Sequence, residues 1–571
     1  MPVLDRELSV ADAADSVARV VEYIFERYPH TARNAGRHDF DGRLPDVTSV
    51  SAAELERLRA DVRRHADALG ESPDPELRAD LDASERWLDH ERFRVLDLPD
   101  GYPGPLDWLA EADVWSYLRS SYAPLPDRLE VLQTHLLSVP GFLEQAAQTL
   151  AARLPAGERL RSIEQARARA ADITSISAAV AAATLKPAPS TLLAAATAAA
   201  AACEEFATAV EATAPASGRL GPDLLAELLR TREGIEHPLA DLLLEAEDEV
   251  GSTTSALDSA AARLGVSNRL DAYALVANEV SDASVVESML AILERLEQFW
   301  ADADVVPMRA VNPLEVQLVP WNPGGLLGVF FQLSSPHERP RRPHILYVPE
   351  PPNDPRYERV SLRRQYCNDA MLEVIAVHEA FPGHYLHAEA VMSVQSVMRT
   401  CIRRATAFSE GWAHYAEELA IDVGLADDRP LIEIAQLKSA LEAATRLLIF
   451  LSIHMGRWSF AQAVDRAAEL NGWSPERAAH EVLGATSMPD PAMYTLGKLR
   501  IREWRRATVD TSKESLKEFH GRLLQCGFGP LTTVWRYYLD GQRSSTSSSV
   551  WPEGWPARGG QTPNDKLSAT S

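Results

Sequence analysis

Residues 378–384 of this chain read His-Glu-Ala-Phe-Pro-Gly-His. Two imidazoles and a carboxylate beside the first are the groups that a hydrolytic zinc site needs, because the His side chains hold the ion and the Glu takes a proton from the attacking water. In the common form of this motif, H-E-x-x-H, the two His lie four residues apart on one helix face. Here they lie six residues apart, and a regular helix would turn them to different faces.

The insert between the two His offers a way to bring them together. Pro382 cannot continue the helical hydrogen bonding, and Gly383 tolerates unusual backbone angles. A kink or bulge at this point would turn His384 back toward the ion. We therefore predict that His378 and His384 are metal ligands and that Glu379, beside the first ligand, is the general base.

Two stretches carry a resemblance to a known family. VIAVHEAFPGHYLH (374–387) and FSEGWAHYAEELA (408–420) resemble the DUF885 family, which has an HE-x-x-PGH signature and a downstream EGWA-x-YAE segment. RLLIFLSIHMGRWS (446–459) and YTLGKLRIREWR (494–505) are similar to later family segments, although Phe450 stands where Asp is usual and Ser452 where Gly is usual. The resemblance implies a relative of the gluzincin metallopeptidases, with a mostly helical fold similar to the M32 carboxypeptidases.

The third metal ligand has to come from another part of the chain. Glu410 follows His384 by 26 residues and begins the second motif, which leaves room for a turn and an antiparallel return. We predict Glu410 as this ligand, with His414 as its rival. His414 and Glu417 lie on the same helix face as Glu410, so one of them is expected to hydrogen-bond a metal ligand. Glu418 is expected to face away.

Hydrolysis of a carbonyl compound also needs a donor to the developing oxyanion and a group that holds the substrate. Tyr494 is the first candidate for the donor and His454 the second; a buried structural role is the alternative for each. A terminal carboxylate would be held by a guanidinium, because Arg binds carboxylates through two parallel hydrogen bonds. Arg446, Arg500 and Arg505 are the candidates, and a structural ion pair is the alternative for each.

Composition limits the class of protein. The chain has 571 residues, of which 46% are hydrophobic and 24% charged, as is typical of a soluble globular protein. A net charge of −25 argues against a nucleic-acid partner. The four Cys include no C-x-x-C pair and are predicted to be free thiols. No signal-like or membrane-spanning pattern is evident, so we expect a cytoplasmic protein without a membrane partner. The oligomeric state stays open, with a homodimer as one alternative.

The pattern along the chain predicts a mainly α fold, a large helical body with a small β-sheet element beside the metal helix. Residues 1–304 are expected to form an N-terminal helical region that includes the Ala-rich segment 178–214. Residues 305–541 form the metal-site region, continuous with the first, and 542–571 a disordered tail. GVFFQL (328–333) and HILYV (344–348) predict two strands, which either pair with a substrate backbone or cap the helical core.

The predicted function is that of a zinc-dependent hydrolase that holds one Zn²⁺ per chain. Two His and one Glu suit zinc, although manganese or cobalt fits the same ligands. The family resemblance implies a carboxypeptidase-like metallopeptidase that cleaves short peptides by Glu-assisted attack of metal-bound water. One alternative is a metal-dependent amidase that acts on a non-peptide small molecule. The other is a non-catalytic helical scaffold with a relic metal site.

Overall fold

The computed structural model describes residues 10–47, 52–69, 74–98, 104–119, 121–184, 187–319, 328–349, 364, 367–487, 489–511, 514–544 and 567–570. The chain divides into two compact units. The first contains Met1–Gly234 together with two later segments, His337–Pro340 and Ser396–Arg404. The second contains Ile235–Pro336, Arg341–Gln395 and Ala405–Ser571. The continuous N-terminal part of the first unit runs to Gly234, whereas the sequence suggested a boundary near residue 304.

The first unit is built from helices and one short parallel strand pair. Its described elements are α1 (Val10–Arg27), α2 (Pro29–Asn34), a 3-10 turn (His38–Phe40), α3 (Ala52–Leu69), α4 (Pro75–Arg92) with a π-helical extension (Phe93–Asp97), α5 (Pro105–Glu111), α6 (Trp115–Arg119), α7 (Leu125–Gln148), β1 (Arg153–Pro155), α8 (Ala156–Thr184), α9 (Ser190–Glu211), β2 (Ala214–Ala216), α10 (Pro222–Leu228) with a second π-helical extension (Leu229–Glu233), and the later Val397–Thr400, numbered α16.

The Ala-rich segment forms the C-terminal end of α8 and all of α9, with the break at Pro187 and Pro189. Because Ala is small, α9 packs closely against α7 and α8, and Leu192, Cys203 and Phe206 are buried in this core. Within the described residues, α9 is also long and apolar enough to cross a membrane. Of its apolar window, 44% is buried in the protein.

The second unit contains the remaining helices and a small sheet. The helices are α11 (Leu239–Arg263), α12 (Arg269–Asn278), α13 (Val285–Ala303), α14 (Asp369–Glu379), α15 (His384–Val391), α17 (Ala407–Asp422), α18 (Pro430–His454), α19 (Phe460–Asn471), α20 (Pro475–Ala485), α21 (Asp490–Thr508), α22 (Leu516–Leu524) and α23 (Leu531–Ser544).

The sheet has four strands in the order β4-β5-β3-β6. They are β3 (Leu314–Val319), β4 (Phe330–Gln332), β5 (His344–Pro349) and β6 (Leu567–Thr570). Strand β3 pairs in parallel with β5 and with β6, whereas β4 pairs antiparallel with β5 and forms one edge of the sheet. The short β4 places Phe331 opposite Leu346.

The mainly α fold class predicted from the sequence is confirmed. Both predicted strands are present as β4 and β5, and β3 is a strand that the sequence analysis did not identify. Of the tail predicted to be disordered, residues up to Ser544 continue α23 and Leu567–Thr570 pair with β3; residues 545–566 and 571 lie outside the described part of the chain. The four cysteines are free thiols, as predicted.

Candidate metal centre

The HEAFPGH segment breaks one helix and starts another. Helix α14 begins at an Asn368 cap and ends at Glu379; α15 begins at His384. Between them the backbone reverses, and Gly383 N–H donates to the Val377 carbonyl at 3.0 Å. A Cβ at Gly383 would lie 1.7 Å from the His378 carbonyl oxygen, so only glycine can be accommodated where these two backbone segments approach each other. The predicted break at Pro382-Gly383 is confirmed.

This reversal brings the three predicted metal ligands together. The ligand atoms of His378, His384 and Glu410 all lie within 4.8 Å of one another. Glu410 Oε2 is 3.5 Å from His378 Nε2 and 3.4 Å from His384 Nε2, and it has no hydrogen-bond partner among the described residues. Two ligands each about 2.0–2.2 Å from a tetrahedral zinc ion lie roughly 3.3–3.5 Å apart. The spacing therefore fits a shared cation better than direct hydrogen bonds.

The charges around the three ligands also favour a cation. Burial opposes ionisation of Glu410, but the His384 and His378 side chains outweigh it and hold the pKa of Glu410 well below its ordinary value. Burial likewise opposes protonation of His378, yet Glu410 and Glu417 raise its pKa above the ordinary value. Three carboxylates, those of Glu379, Glu410 and Glu417, thus surround two imidazoles. The residues present fit a divalent metal ion.

Glu417 orients His378, the first predicted ligand. Its Oε1 accepts a hydrogen bond from His378 Nδ1 at 2.7 Å, which leaves Nε2 of the same ring to face Glu410. His414 Nδ1 lies 3.4 Å from the same Glu417 oxygen. Carboxylates commonly fix a ligating imidazole in this way. Of the two residues expected near a ligand, Glu417 makes the contact, and His414 adjoins Glu417 instead of the three predicted ligands.

Glu418 faces away from the centre, as the sequence predicted. It forms ion pairs with Arg502 and, at 3.5 Å, with Lys498. Lys498 is 1% exposed and also pairs with Glu249 at 2.7 Å. These two acidic and two basic side chains satisfy one another.

Glu379 lies between the predicted metal ligands and the edge of the sheet. Phe331 N–H, on edge strand β4, donates to Glu379 Oε2 at 3.1 Å. Burial raises the pKa of Glu379 above its ordinary value, although His384 and His378 oppose the rise. A carboxylate with a raised pKa beside a metal site is suited to accept a proton near neutral pH.

Tyr494 lies over His378 because two helices touch through glycine. A Cβ on Gly497 of α21 would lie 1.7 Å from the Ala407 carbonyl oxygen of α17, and one on Gly411 would lie 2.4 Å from Gly497 Cα. With the backbones this close, the Tyr494 ring stacks on His378 with centroids 5.6 Å apart and planes 14° apart. The negative charge of Glu410, together with burial, raises the pKa of Tyr494, so its hydroxyl keeps its proton.

His454 and the three candidate arginines have other partners. His454 Nε2 donates to the Ala485 carbonyl at 2.9 Å, and burial lowers its pKa to about 4. Arg446 binds Glu481 through two hydrogen bonds of 2.9 and 3.0 Å. Arg500 pairs with Glu245, and Arg505 donates to the Tyr415 hydroxyl at 3.2 Å with Asp422 at 3.8 Å. None of these four side chains has a described contact with the three predicted ligands.

A buried network that the sequence analysis missed connects the sheet to α15. Glu389 and His344 are both fully buried, and Glu389 Oε1 accepts hydrogen bonds from His344 Nε2 and from Asn312 Nδ2, each at 2.9 Å. Glu389 Oε2 accepts from the backbone N–H groups of Val311 and Asn312. Tyr385 O–H donates to the Asn312 carbonyl at 2.6 Å. The network holds the start of β3 and β5 against the helix that begins with His384.

The fold and the site define a mainly α protein with a candidate His-His-Glu metal centre beside the edge of a small sheet. A family model described as "Bacterial protein of unknown function (DUF885)" matches residues 29–536, and the chain belongs to this family. No curated protein matches the chain.

Two solved structures are similar to it, each of a protein named only provisionally as a lipoprotein. One, of unknown function, is from Shewanella oneidensis, with a TM-score of 0.70, 17% identity, and coverage of 92% of this chain and 99% of that one. The other is from Colwellia psychrerythraea, with a TM-score of 0.69, 16% identity, and coverage of 93% and 99%. At these identities the likeness shows a shared fold alone.

Proposed function

We propose that this protein is a zinc-dependent hydrolase, a metallopeptidase that cleaves short peptides. One observation carries the proposal: the candidate ligand atoms of His378, His384 and Glu410 lie within 4.8 Å of one another, and Glu379 lies next to them. The two distances to Glu410 Oε2 fit a tetrahedral ion. The resemblance of the motifs to the gluzincin peptidases and the M32 carboxypeptidases is part of the same proposal.

Each side chain of the proposed centre has its own role in the reaction. The two His and Glu410 would hold a divalent ion, and its Lewis acidity would activate a water near neutral pH and polarise a carbonyl. Glu379 takes the proton of the attacking water and passes it to the leaving nitrogen, for which its raised pKa is suited. Tyr494, protonated and stacked over His378, donates a hydrogen bond to the developing oxyanion.

The position of β4 supports a peptide over a compact small molecule as the substrate. The strand has one free edge in the described sheet, and Phe331 on that edge contacts Glu379. An extended peptide can add to such an edge through backbone hydrogen bonds, and its scissile bond would then lie beside the base. A non-peptide amide has no repeating backbone with which to use this edge.

Metal content tests the ligand set. Wild type and Glu410→Ala would be dialysed against zinc, freed of loose metal and measured by elemental mass spectrometry. Asp422→Ala is the matched control, because Asp422 is an exposed acid on the same helix. We expect about one zinc per chain in wild type and in the control, and much less in Glu410→Ala. No zinc in wild type would refute the proposal.

Activity tests the chemistry and the substrate class. A panel of dipeptides and tripeptides would be compared with acyl amides of similar size. Glu379→Gln keeps the shape of the side chain but cannot accept the proton, so we expect it to retain zinc and lose turnover of the peptides. Turnover of the acyl amides alone would favour the amidase, and zinc binding without any turnover would favour the scaffold with a relic site.

A further inference from the structure

The bulge between the first two ligands leaves one buried carbonyl without its helical partner. In a continuous helix Leu386 N–H would donate to the Pro382 carbonyl, four residues earlier. Here Leu386 N–H instead donates to the Ala380 carbonyl at 3.3 Å, and His387 N–H donates to the Gly383 carbonyl at 3.0 Å. Pro382 is buried, so its carbonyl needs another donor.

Trp412 supplies that donor. Its indole Nε1–H donates to the Pro382 carbonyl oxygen at 2.9 Å, and the side chain is 0% exposed. Trp412 follows the predicted third ligand, Glu410, by two residues on α17. The helix that delivers the third ligand therefore also contacts the bulge that turns the second ligand toward the first.

The Trp412 ring is held in turn by its neighbours. It packs edge-on against His520, with ring centroids 5.3 Å apart, and its centroid lies 5.9 Å from that of the tilted Tyr415 ring on its own helix. His520 Nε2 accepts a hydrogen bond from the Tyr415 hydroxyl at 3.0 Å, and His520 Nδ1 donates to the Val305 carbonyl at 2.8 Å. These contacts fix the direction of the indole N–H.

We propose that Trp412 is a positioning residue of the metal centre: its N–H fixes the Pro382 carbonyl and thereby the bulge that aims His384 at the ion. This inference rests on the metal centre proposed above. It assigns to the Trp of the EGWA segment a role that its apolar bulk alone would not require. Groups that orient metal ligands without touching the ion typically change metal affinity 10–100-fold when removed.

The test compares two Trp→Phe substitutions. Trp412→Phe keeps an aromatic ring and removes the N–H. Trp300→Phe is the matched control, because Trp300 is also 0% exposed in the second unit but its Nε1 has no hydrogen-bond partner among the described residues. Zinc dissociation constants would be measured by competition with a chromophoric chelator, beside the thermal midpoint of each metal-free protein.

We expect Trp412→Phe to weaken zinc binding about tenfold or more relative to wild type, and Trp300→Phe less than about twofold. Equal affinities in the two variants would overturn the role of Trp412 and leave the zinc centre standing. No zinc binding by wild type would overturn this inference and the proposed function together.

A second substitution keeps the test decisive if Trp412→Phe does not fold. Benzothienylalanine, introduced at position 412 by genetic code expansion, replaces the indole N–H with sulfur and leaves ring size almost unchanged. We expect the same loss of zinc affinity, with the thermal midpoint of the metal-free protein closer to that of wild type. Unchanged zinc affinity in this variant would refute the role of the N–H.

Discussion

Gly497→Ala adds a single methyl group, yet it should markedly destabilise the second unit. An added Cβ would lie 1.7 Å from the Ala407 carbonyl oxygen and 2.7 Å from Gly411 Cα. Both obstacles are backbone atoms, so no side-chain rotation relieves the contact. For the usual spacing to be restored, α17 and α21 would have to separate by roughly 1.5 Å, since non-bonded carbon atoms pack at about 3.5 Å and carbon–oxygen contacts are slightly shorter.

The expected cost of Gly497→Ala follows from two opposing terms. Overpacking of a tight core costs about 1–3 kcal/mol, and this contact, with backbone on both sides, belongs at the upper end. Replacing Gly with Ala inside a helix stabilises the folded state by about 1 kcal/mol through helix propensity. We therefore expect a net loss of about 2 kcal/mol in the free energy of unfolding. Because Glu410 and Tyr494 lie on the two displaced helices, zinc affinity should fall as well.

Gly251 provides the control, since it lies within helix α11 and has no described atom within 4 Å of an added Cβ. Gly251→Ala should gain up to about 1 kcal/mol from helix propensity alone. The assay is urea denaturation of both variants and wild type, followed by far-ultraviolet circular dichroism. A Gly497→Ala protein as stable as Gly251→Ala, with the zinc affinity of wild type, would refute the argument that backbone contact sets the spacing of these helices.

Three further predictions follow from the site and from the first unit. Glu417→Gln should weaken zinc binding about tenfold in the chelator competition, because the charge that orients His378 is lost; an unchanged dissociation constant would contradict this. Tyr494→Phe should retain zinc and lower kcat for peptides about 100-fold with little change in KM, and an equal rise in KM would instead assign Tyr494 to substrate binding. In the first unit, burial alone would lower the pKa of His38, but its hydrogen bonds to Asp41 and Glu338 raise it to about 9. Since this folded-state pKa exceeds the unfolded value of about 6.5, the stability that His38 contributes is fully present below pH ~6.5 and is lost as the pH rises through about 9. His38→Gln should therefore destabilise the protein by up to about 3 kcal/mol at pH 6 and by little at pH 10, as measured by urea denaturation at the two pH values; an equal loss at both would show that the charge is not involved.

The candidate ligands could be found from the sequence because their chemistry is local. His378, Glu379 and His384 lie within seven residues, and the Pro-Gly pair between them indicates the break that the structure contains. The prediction of Glu410 required only that a turn and an antiparallel helix follow His384. In each case residue type and spacing carried the information, without knowledge of distant contacts.

The features that could not be predicted from the sequence depend on partners far away along the chain. Glu389 accepts hydrogen bonds from Asn312 and His344, which are 77 and 45 residues away along the chain. Strand β3 pairs in parallel with β5, and no local pattern records such a partner. The role of Arg446 was open for the same reason, because the sequence does not show that Glu481 accepts both of its hydrogen bonds.

The segment Ser396–Arg404 has a consequence for how the protein is synthesised. It belongs to the first unit, where Arg399 pairs with Glu76 and Asp80, yet it lies in the chain between His384 and Glu410. When Gly234 has emerged from the ribosome, the whole of the first unit has therefore not yet been synthesised. Arg399 has to emerge 165 residues later, just before Glu410, so the first unit and the predicted set of metal ligands become complete at nearly the same moment of translation. Expression of residues 1–234 alone would leave Glu76 and Asp80 without this cation.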